Sequence, residues 1–140
     1  MKKLLVAAII SLSSITTVAL AEIKVGIILG FTGPIESLTP SMRDGARLAF
    51  LEASNSGNLL DGETLTIMEA DSTCVDSAAA TAAAEQMVAD GVAAIMGADC
   101  SGVTGAINAN VAVPNGVLMV SPSATSPGLS KVADNGTFWR

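Results

Sequence analysis

The chain has 140 residues, a net charge of −6 and no histidine, and its length is enough for one domain with a buried core. Without imidazole, neither a histidine-based catalytic triad nor a histidine-ligated zinc site can form, and we expect neither an enzyme nor a metal site. The acidic balance disfavours nucleic acid and anionic membrane surfaces, because both select for clusters of Lys and Arg.

The N-terminus of the sequence has the pattern of a cleavable secretory signal peptide, residues 1–21. Two lysines give a basic start, residues 4–18 carry no charge, and a small-x-small cleavage pattern ends at Ala21. The apolar run is short for a hydrocarbon layer of roughly 30 Å, which disfavours an uncleaved membrane anchor. We predict cleavage after Ala21 and no later membrane insertion, which leaves residues 22–140 with a net charge of −8 because two lysines are lost.

Beyond the signal, short β-branched runs alternate with stretches of helical periodicity. This alternation predicts a three-layer α/β fold whose parallel sheet is joined by right-handed crossovers. Thr39 and Pro40 mark the start of the first helix, with Thr39 as its N-cap and Pro40 at the first helical position. The predicted elements, in chain order, are strand 23–29, helix 39–55, strand 65–70, a helix from Asp76 or Ser77 to about Asp90, strand 92–96, a helix from about Ser101, strand 117–120 and the start of a strand at 136–139.

The last residues, Trp139 and Arg140, fall inside or just after the predicted fifth strand. No predicted helix follows to cover the last face of the sheet. Because exposed apolar strand edges promote aggregation, we expect residues 22–140 to be part of a lobe and the lobe to be truncated.

Cys74 and Cys100 are the only two cysteines, and an exported chain meets an oxidising compartment. Each follows a predicted strand, so both are expected at the carboxyl edge of the sheet. The oxidising compartment and the even number of cysteines favour a disulfide, which would stabilise the fold by roughly 3 kcal/mol. Two free thiols are the alternative, and two cysteines alone make an incomplete zinc shell.

In open parallel sheets, ligands bind beyond the carboxyl ends of the strands. Ser101, Gly102 and Thr104 stand at a predicted helix start there, where free N–H groups and the helix dipole favour an anion such as a carboxylate. Serine also commonly caps its own helix, so both roles remain open for Ser101. The loops concerned, called the first to fourth loops in chain order, are 30–38, 71–76, 97–104 and 121–128.

Two of these loops have distinctive compositions. The loop at 121–127 is rich in hydroxyls and stiffened by prolines, although hydroxyl-rich loops are often only solvated. The loop at 30–34 is rich in glycine, but it lacks both the Gly-Lys-Ser/Thr end of a phosphate loop and the dinucleotide pattern. We therefore predict no nucleotide and no cofactor.

An ordered series of motifs runs along the chain after the signal. These motifs are Ile-Lys-Val-Gly-Ile-Ile-Leu-Gly-Phe-Thr-Gly-Pro at 23–34, Asp-Ser-Thr-Cys at 71–74, Ala-Asp-Cys-Ser-Gly at 98–102 and Pro-Asn-Gly-Val-Leu-Met-Val-Ser-Pro-Ser-Ala-Thr-Ser-Pro at 114–127. Over residues 22–140 the sequence resembles the branched-chain amino-acid-binding proteins, the type I periplasmic binding proteins of ABC importers. The resemblance implies a periplasmic location, a flavodoxin-like strand order, and the first lobe of a two-lobe protein that delivers an amino acid to a membrane permease.

The resemblance also implies roles for individual residues. Ser101 would hold the ligand carboxylate, while the carbonyl of Ser123 and the hydroxyl of Thr125 would take its ammonium group. The two cysteines would pair, and an acidic group for the ammonium would come from the second lobe. Leu38 stands where many members place an aromatic wall, and the chain has no tyrosine. The side-chain preference is therefore open, since related proteins bind other amino acids, amides or urea.

Two alternative functions remain. The same pair of lobes could serve a sensory module that regulates a kinase, a receptor or an operon. An enzyme of flavodoxin-like architecture would need acidic metal ligands at the strand ends, where only Asp71 and Asp99 lie near suitable positions.

Overall fold

The computed structural model describes residues 22–140, and the predicted signal peptide lies outside the described residues. Five strands form one parallel sheet in the order β2-β1-β3-β4-β5, which confirms the predicted flavodoxin-like order. The strands are β1 (Glu22–Leu29), β2 (Thr64–Asp71), β3 (Val92–Gly97), β4 (Leu118–Val120) and β5 (Phe138–Trp139). The α-helices are α1 (Thr39–Asn55), α2 (Ser77–Ala89), α3 (Ser101–Ile107) and α4 (Val113–Asn115).

Strand β1 is an interior strand of the sheet because it pairs with β2 on one side and β3 on the other. Its apolar run ends in Ile27, Ile28 and Leu29, which are all fully buried, as expected for a strand covered on both faces. Leu29 lies beside Asp71, and Ile28 lies beside Gly97. This register brings the carboxyl ends of three strands together and so gathers the loops that follow them.

Helices cover both faces of the sheet, which confirms the three-layer arrangement. On one face, α2 and α3 pack over a core that contains Ile28, Ile95 and Met119. The small side chains of Ala80 and Ala84 are fully buried there, so α2 approaches the sheet closely. On the other face, α1 lies against β1 and β2.

The helix starts are set by local chemistry that the sequence predicted in part. Asp76 is the N-cap of α2, and its carboxylate accepts hydrogen bonds of 3.0 Å from the amides of Ala78 and Ala79. The prediction of Thr39 as N-cap of α1 is wrong: Leu38 holds that position and Thr39 is the first helical residue. The Thr39 hydroxyl donates instead to the carbonyl of Glu36, at 3.2 Å, because it is buried under the preceding turn.

The segment after β3 is helical from Ser101 to Asn115, but it is not a regular α-helix throughout. A π-helical turn, Asn108–Ala112, separates α3 from α4, and two short 3₁₀ turns lie at Leu60–Gly62 and Pro127–Lys131. Within residues 22–140, no helix combines the length and the apolar character that crossing a membrane requires.

Candidate functional site

The loops after β2 and β3 are joined covalently at the carboxyl edge of the sheet. Cys74 and Cys100 form a disulfide whose Cα atoms are 5.2 Å apart, within the usual range for such a bond. The predicted pairing is therefore confirmed. Because Cys100 is also the N-cap of α3, the disulfide holds the start of that helix against the second loop.

Ser101 links the third loop to the fourth. It is the first residue of α3, and its hydroxyl accepts a hydrogen bond of 3.0 Å from the amide of Ser126. Ser101 does not cap its own helix, because the N-cap is Cys100 and no side chain caps that end. A serine hydroxyl can donate one hydrogen bond and accept two, so accepting from Ser126 leaves its proton for another group.

Ser123 and Thr125 lie on the fourth loop, around a cavity of about 410 Å³. The hydroxyl of Ser123 donates to the carbonyl of Asp99 at 3.0 Å, while Thr125 is exposed. The lining residues are Ser121, Pro122, Ser123, Ala124, Thr125, Ser130 and Arg140. The structure thus places two of the predicted site residues around one cavity, and four of its seven lining residues carry a hydroxyl.

Arg140 also lines this cavity, and the sequence did not single it out. Its guanidinium donates to the carbonyl of Ala124, at 3.0 Å, and to the hydroxyl of Ser130. The two bonds connect the end of β5 to the fourth loop and to the 3₁₀ turn that follows it. Nothing in the local sequence indicates this contact, because it depends on where β5 joins the sheet.

Three other residues of the predicted site do not line this cavity. Leu38 is 57% exposed at the start of α1, and neither Leu38 nor Ser101 is among the described residues that line the cavity. Thr104 is fully buried, and its hydroxyl donates to the carbonyls of Ala98 and Cys100. The side chain of Thr104 therefore points into the fold and holds the third loop together.

Asp71 ties the first loop to the second. Its carboxylate accepts from the hydroxyl and amide of Thr32, at 2.5 and 3.3 Å, and from the amide of Thr73 at 2.8 Å. Desolvation raises the pKa of Asp71, but hydrogen bonds from the Thr32 side chain and from the amides of Thr73, Thr32 and Phe31 outweigh it and hold the pKa below its ordinary value.

This lowered pKa predicts a pH dependence of stability. A carboxylate whose folded pKa is depressed contributes stability that is complete above its unfolded pKa, near 3.8, and is lost as the pH falls through the folded pKa. We expect the free energy of unfolding, measured with urea from pH 5 to pH 2, to fall more steeply for the wild type than for Asp71→Asn. Thr32→Val, which removes the hydroxyl donor, should give an intermediate slope. Parallel curves for the three proteins would contradict this role of Asp71.

The part of the chain that carries these loops is similar to known proteins. A family model described as periplasmic binding protein matches residues 22–140. Two curated relatives are the Leu/Ile/Val-binding protein BraC3 of Rhizobium johnstonii, 33% identical, and the leucine-specific-binding protein of Salmonella typhimurium, 31% identical. Each alignment covers 92% of this chain and 34% of the relative. The chain thus spans about a third of the length of the curated relatives it matches.

Solved structures that are similar to this chain are also substrate-binding proteins of transporters. The branched-chain amino acid transporter substrate-binding protein LivJ of Streptococcus pneumoniae, in complex with isoleucine, is 32% identical, with a TM-score of 0.71 over 79% of this chain and 31% of that one. An ABC transporter substrate-binding protein of Desulfitobacterium hafniense, in complex with Leu, is 28% identical, with a TM-score of 0.69 over 85% of this chain and 34% of that one. These relatives are binding proteins rather than enzymes.

Proposed function

This chain belongs to the periplasmic binding protein family, and on that premise we propose that the complete protein is an extracytoplasmic receptor that binds an amino acid between two lobes and delivers it to an ABC permease. The resemblance to branched-chain amino-acid-binding proteins is confirmed by the matches. Residues 22–140 would form part of the first lobe. The observation that carries the proposal is the hydrogen bond between Ser101 and Ser126, which brings a helix start and a hydroxyl-rich loop together.

The carboxylate of the amino acid would bind at the start of α3. The first amides of a helix have no partner within the helix, and the helix dipole favours an anion there. The Ser101 hydroxyl, which already accepts from Ser126, would donate its proton to a carboxylate oxygen. A neutral hydroxyl and backbone amides suit a zwitterion, because they bind its anionic end without adding a net charge.

The ammonium group would be held by the fourth loop. Its acceptors would be the carbonyl of Ser123 and the hydroxyl of Thr125, both beside the described cavity. An acidic side chain from the second lobe of the complete protein would complete the set. Affinity would then come from a few fixed polar groups in a desolvated cleft, and closure of the lobes would be the event that the permease detects.

Leu38 would border the side chain of the ligand. It is exposed at the start of α1, on the same edge as the loops described above. An exposed apolar side chain at the rim of a polar site supports an apolar contact with part of the ligand. It does not fix which amino acid binds, so the proposal covers leucine, isoleucine, valine and similar small zwitterions.

Export through a signal peptide at residues 1–21, cleaved after Ala21, would place the receptor in the periplasm. The disulfide between Cys74 and Cys100 supports this location, because such bonds persist in oxidising compartments. We expect the mature protein to start at Glu22, which intact-mass measurement of the exported protein tests directly.

Ser101→Ala and Thr125→Ala are each expected to weaken amino-acid binding in the complete protein by about 1–3 kcal/mol, the effect of leaving a charged ligand group without a partner. Isothermal titration with L-leucine measures the change. L-Leucine is the first probe because it is the ligand named for the leucine-specific relative.

The matched control is Ser56→Ala, at the other end of α1. The Ser56 hydroxyl donates to Ala53 and accepts from Asn58, so its loss alters a helix end far from the carboxyl edge. Affinity should stay at the wild-type value in this variant. Wild-type affinity in both Ser101→Ala and Thr125→Ala would remove the assigned roles.

A further inference from the structure

A single acidic residue lies beneath the loops of the candidate site. Asp99 follows β3 and is only 3% exposed. Its carboxylate accepts three hydrogen bonds, from the amide of Gly30 at 2.8 Å, from the amide of Cys100 at 2.9 Å and from the hydroxyl of Ser72 at 3.3 Å. The three donors belong to the first, third and second loops.

This buried carboxylate is held by neutral donors. The ion pairs found among residues 22–140 join Arg43 to Asp44 and Arg47 to Glu69, and neither involves Asp99. A buried charge is tolerated only where hydrogen bonds compensate for lost water. Each of the three donors therefore compensates for part of the hydration that the carboxylate has lost. The loops that carry the donors must stay in place to keep these hydrogen bonds.

The backbone of Asp99 adds the fourth loop to the same centre. Its carbonyl accepts the 3.0 Å hydrogen bond from the Ser123 hydroxyl. One residue thus contacts all four loops at the carboxyl edge, whereas the disulfide joins only the second and the third.

The first loop is closely packed at Gly30. A Cβ atom at Gly30 would lie 3.2 Å from the Cβ of Cys74 and 3.4 Å from Oδ2 of Asp99. A side chain at this position would therefore push its neighbours back by a few tenths of an ångström, whereas glycine fits without such a shift. The backbone of Gly30 fits between the disulfide and the carboxylate, and its amide points at the carboxylate.

We infer that Asp99 is a positioning residue, which fixes the loop of residues 30–38 against the loop that carries Ser101 and so pre-forms the edge that receives the ligand. This inference rests on the proposed function. A site whose loops are already ordered loses less conformational entropy on binding. Disorder of the first loop would leave the fold in place but reduce affinity.

Asp99→Asn is the sharpest test because it conserves shape while replacing one acceptor with a donor. In either orientation of the amide, its NH₂ group faces a backbone N–H, that of Gly30 or that of Cys100. We expect amide hydrogen exchange in the complete mature protein to be at least about tenfold faster at one of these two positions, and the exchange of Ile27 in β1 to be unchanged. The affinity for L-leucine should fall by about tenfold, which corresponds to roughly 1.4 kcal/mol.

The control is Asp90→Asn, the same substitution at the exposed C-cap of α2, which should keep wild-type exchange at Gly30 and Cys100 and wild-type affinity. Unchanged exchange at both positions in Asp99→Asn would overturn the inference, and so would faster exchange with wild-type affinity. A wild-type protein that binds no amino acid would contradict the proposed function instead. In that case the exchange of the Gly30 and Cys100 amides still decides whether Asp99 holds the first loop.

Discussion

Replacement of both Cys74 and Cys100 by serine is expected to lower the free energy of unfolding by about 3 kcal/mol, because the bond restricts the unfolded chain over a separation of 26 residues. Urea unfolding of the oxidised wild type and of the double variant measures the loss. The effect is large for one bond, since the total stability of a domain is only about 5–15 kcal/mol.

Reduction provides the matched control for this experiment. Dithiothreitol should lower the stability of the wild type to that of the double variant and leave the variant unchanged. A difference below about 1 kcal/mol in the free energy of unfolding between oxidised wild type and variant would contradict this prediction. It would show that the disulfide adds little stability beyond the hydrogen bonds to Asp99. In the folded state the second and third loops should stay together without the disulfide, because Ser72 and Cys100 both donate to Asp99.

Gly97→Ala is expected to destabilise the protein by about 3 kcal/mol or more, through both backbone strain and overpacking. Gly97 has a φ of +136°, where side chains are unfavourable. An added Cβ would lie 2.0 Å from the carbonyl oxygen of Ile28 in β1. That backbone atom cannot move without disturbing β1, which is paired on both sides. A shift at Gly97 would also displace Asp99, which lies two residues further along the chain.

The same substitution at Gly45 separates this local effect from that of alanine itself. Gly45 lies within α1, and a Cβ there would meet nothing within 4 Å. Gly45→Ala should raise the free energy of unfolding by about 0.4–1 kcal/mol, because alanine reduces the entropy of the unfolded chain. Thermal and urea unfolding of the two variants give the comparison, and a Gly97→Ala protein within 1 kcal/mol of the wild type would contradict the assigned clash.

The fold could be predicted from the sequence because its strands and helix ends are encoded locally. Residues 25–29 carry no charge or polar side chain, and the side chains of Ile27, Ile28 and Leu29 are fully buried in β1. Asp76 and Ser77 are the two helix starts that the sequence offers for α2, and Asp76 is the N-cap; such a preference can be predicted because it depends on the chain immediately after the cap. Thr39 was misassigned because burial under the loop at Glu36 redirects its hydroxyl.

The candidate site could be predicted only in part, because its geometry depends on contacts between distant segments. The position of Ser101 at a helix start was foreseen, whereas its bond to Ser126, 25 residues away, was not. The role of Asp99 was missed for the same reason: its partners Gly30 and Ser72 lie 69 and 27 residues earlier in the chain. No local pattern identifies a carboxylate whose donors come from other loops.

The most direct test of the proposed receptor function is a thermal-shift measurement on the complete mature protein with a panel of amino acids, amides and urea. A ligand that binds only the folded state at about 100 times its Kd stabilises it by roughly 2.7 kcal/mol. We predict that one amino acid raises the melting temperature by several degrees and that Ser101→Ala reduces this shift at the same ligand concentration. No shift with any amino acid in the panel would contradict the proposal that this protein is an amino-acid receptor.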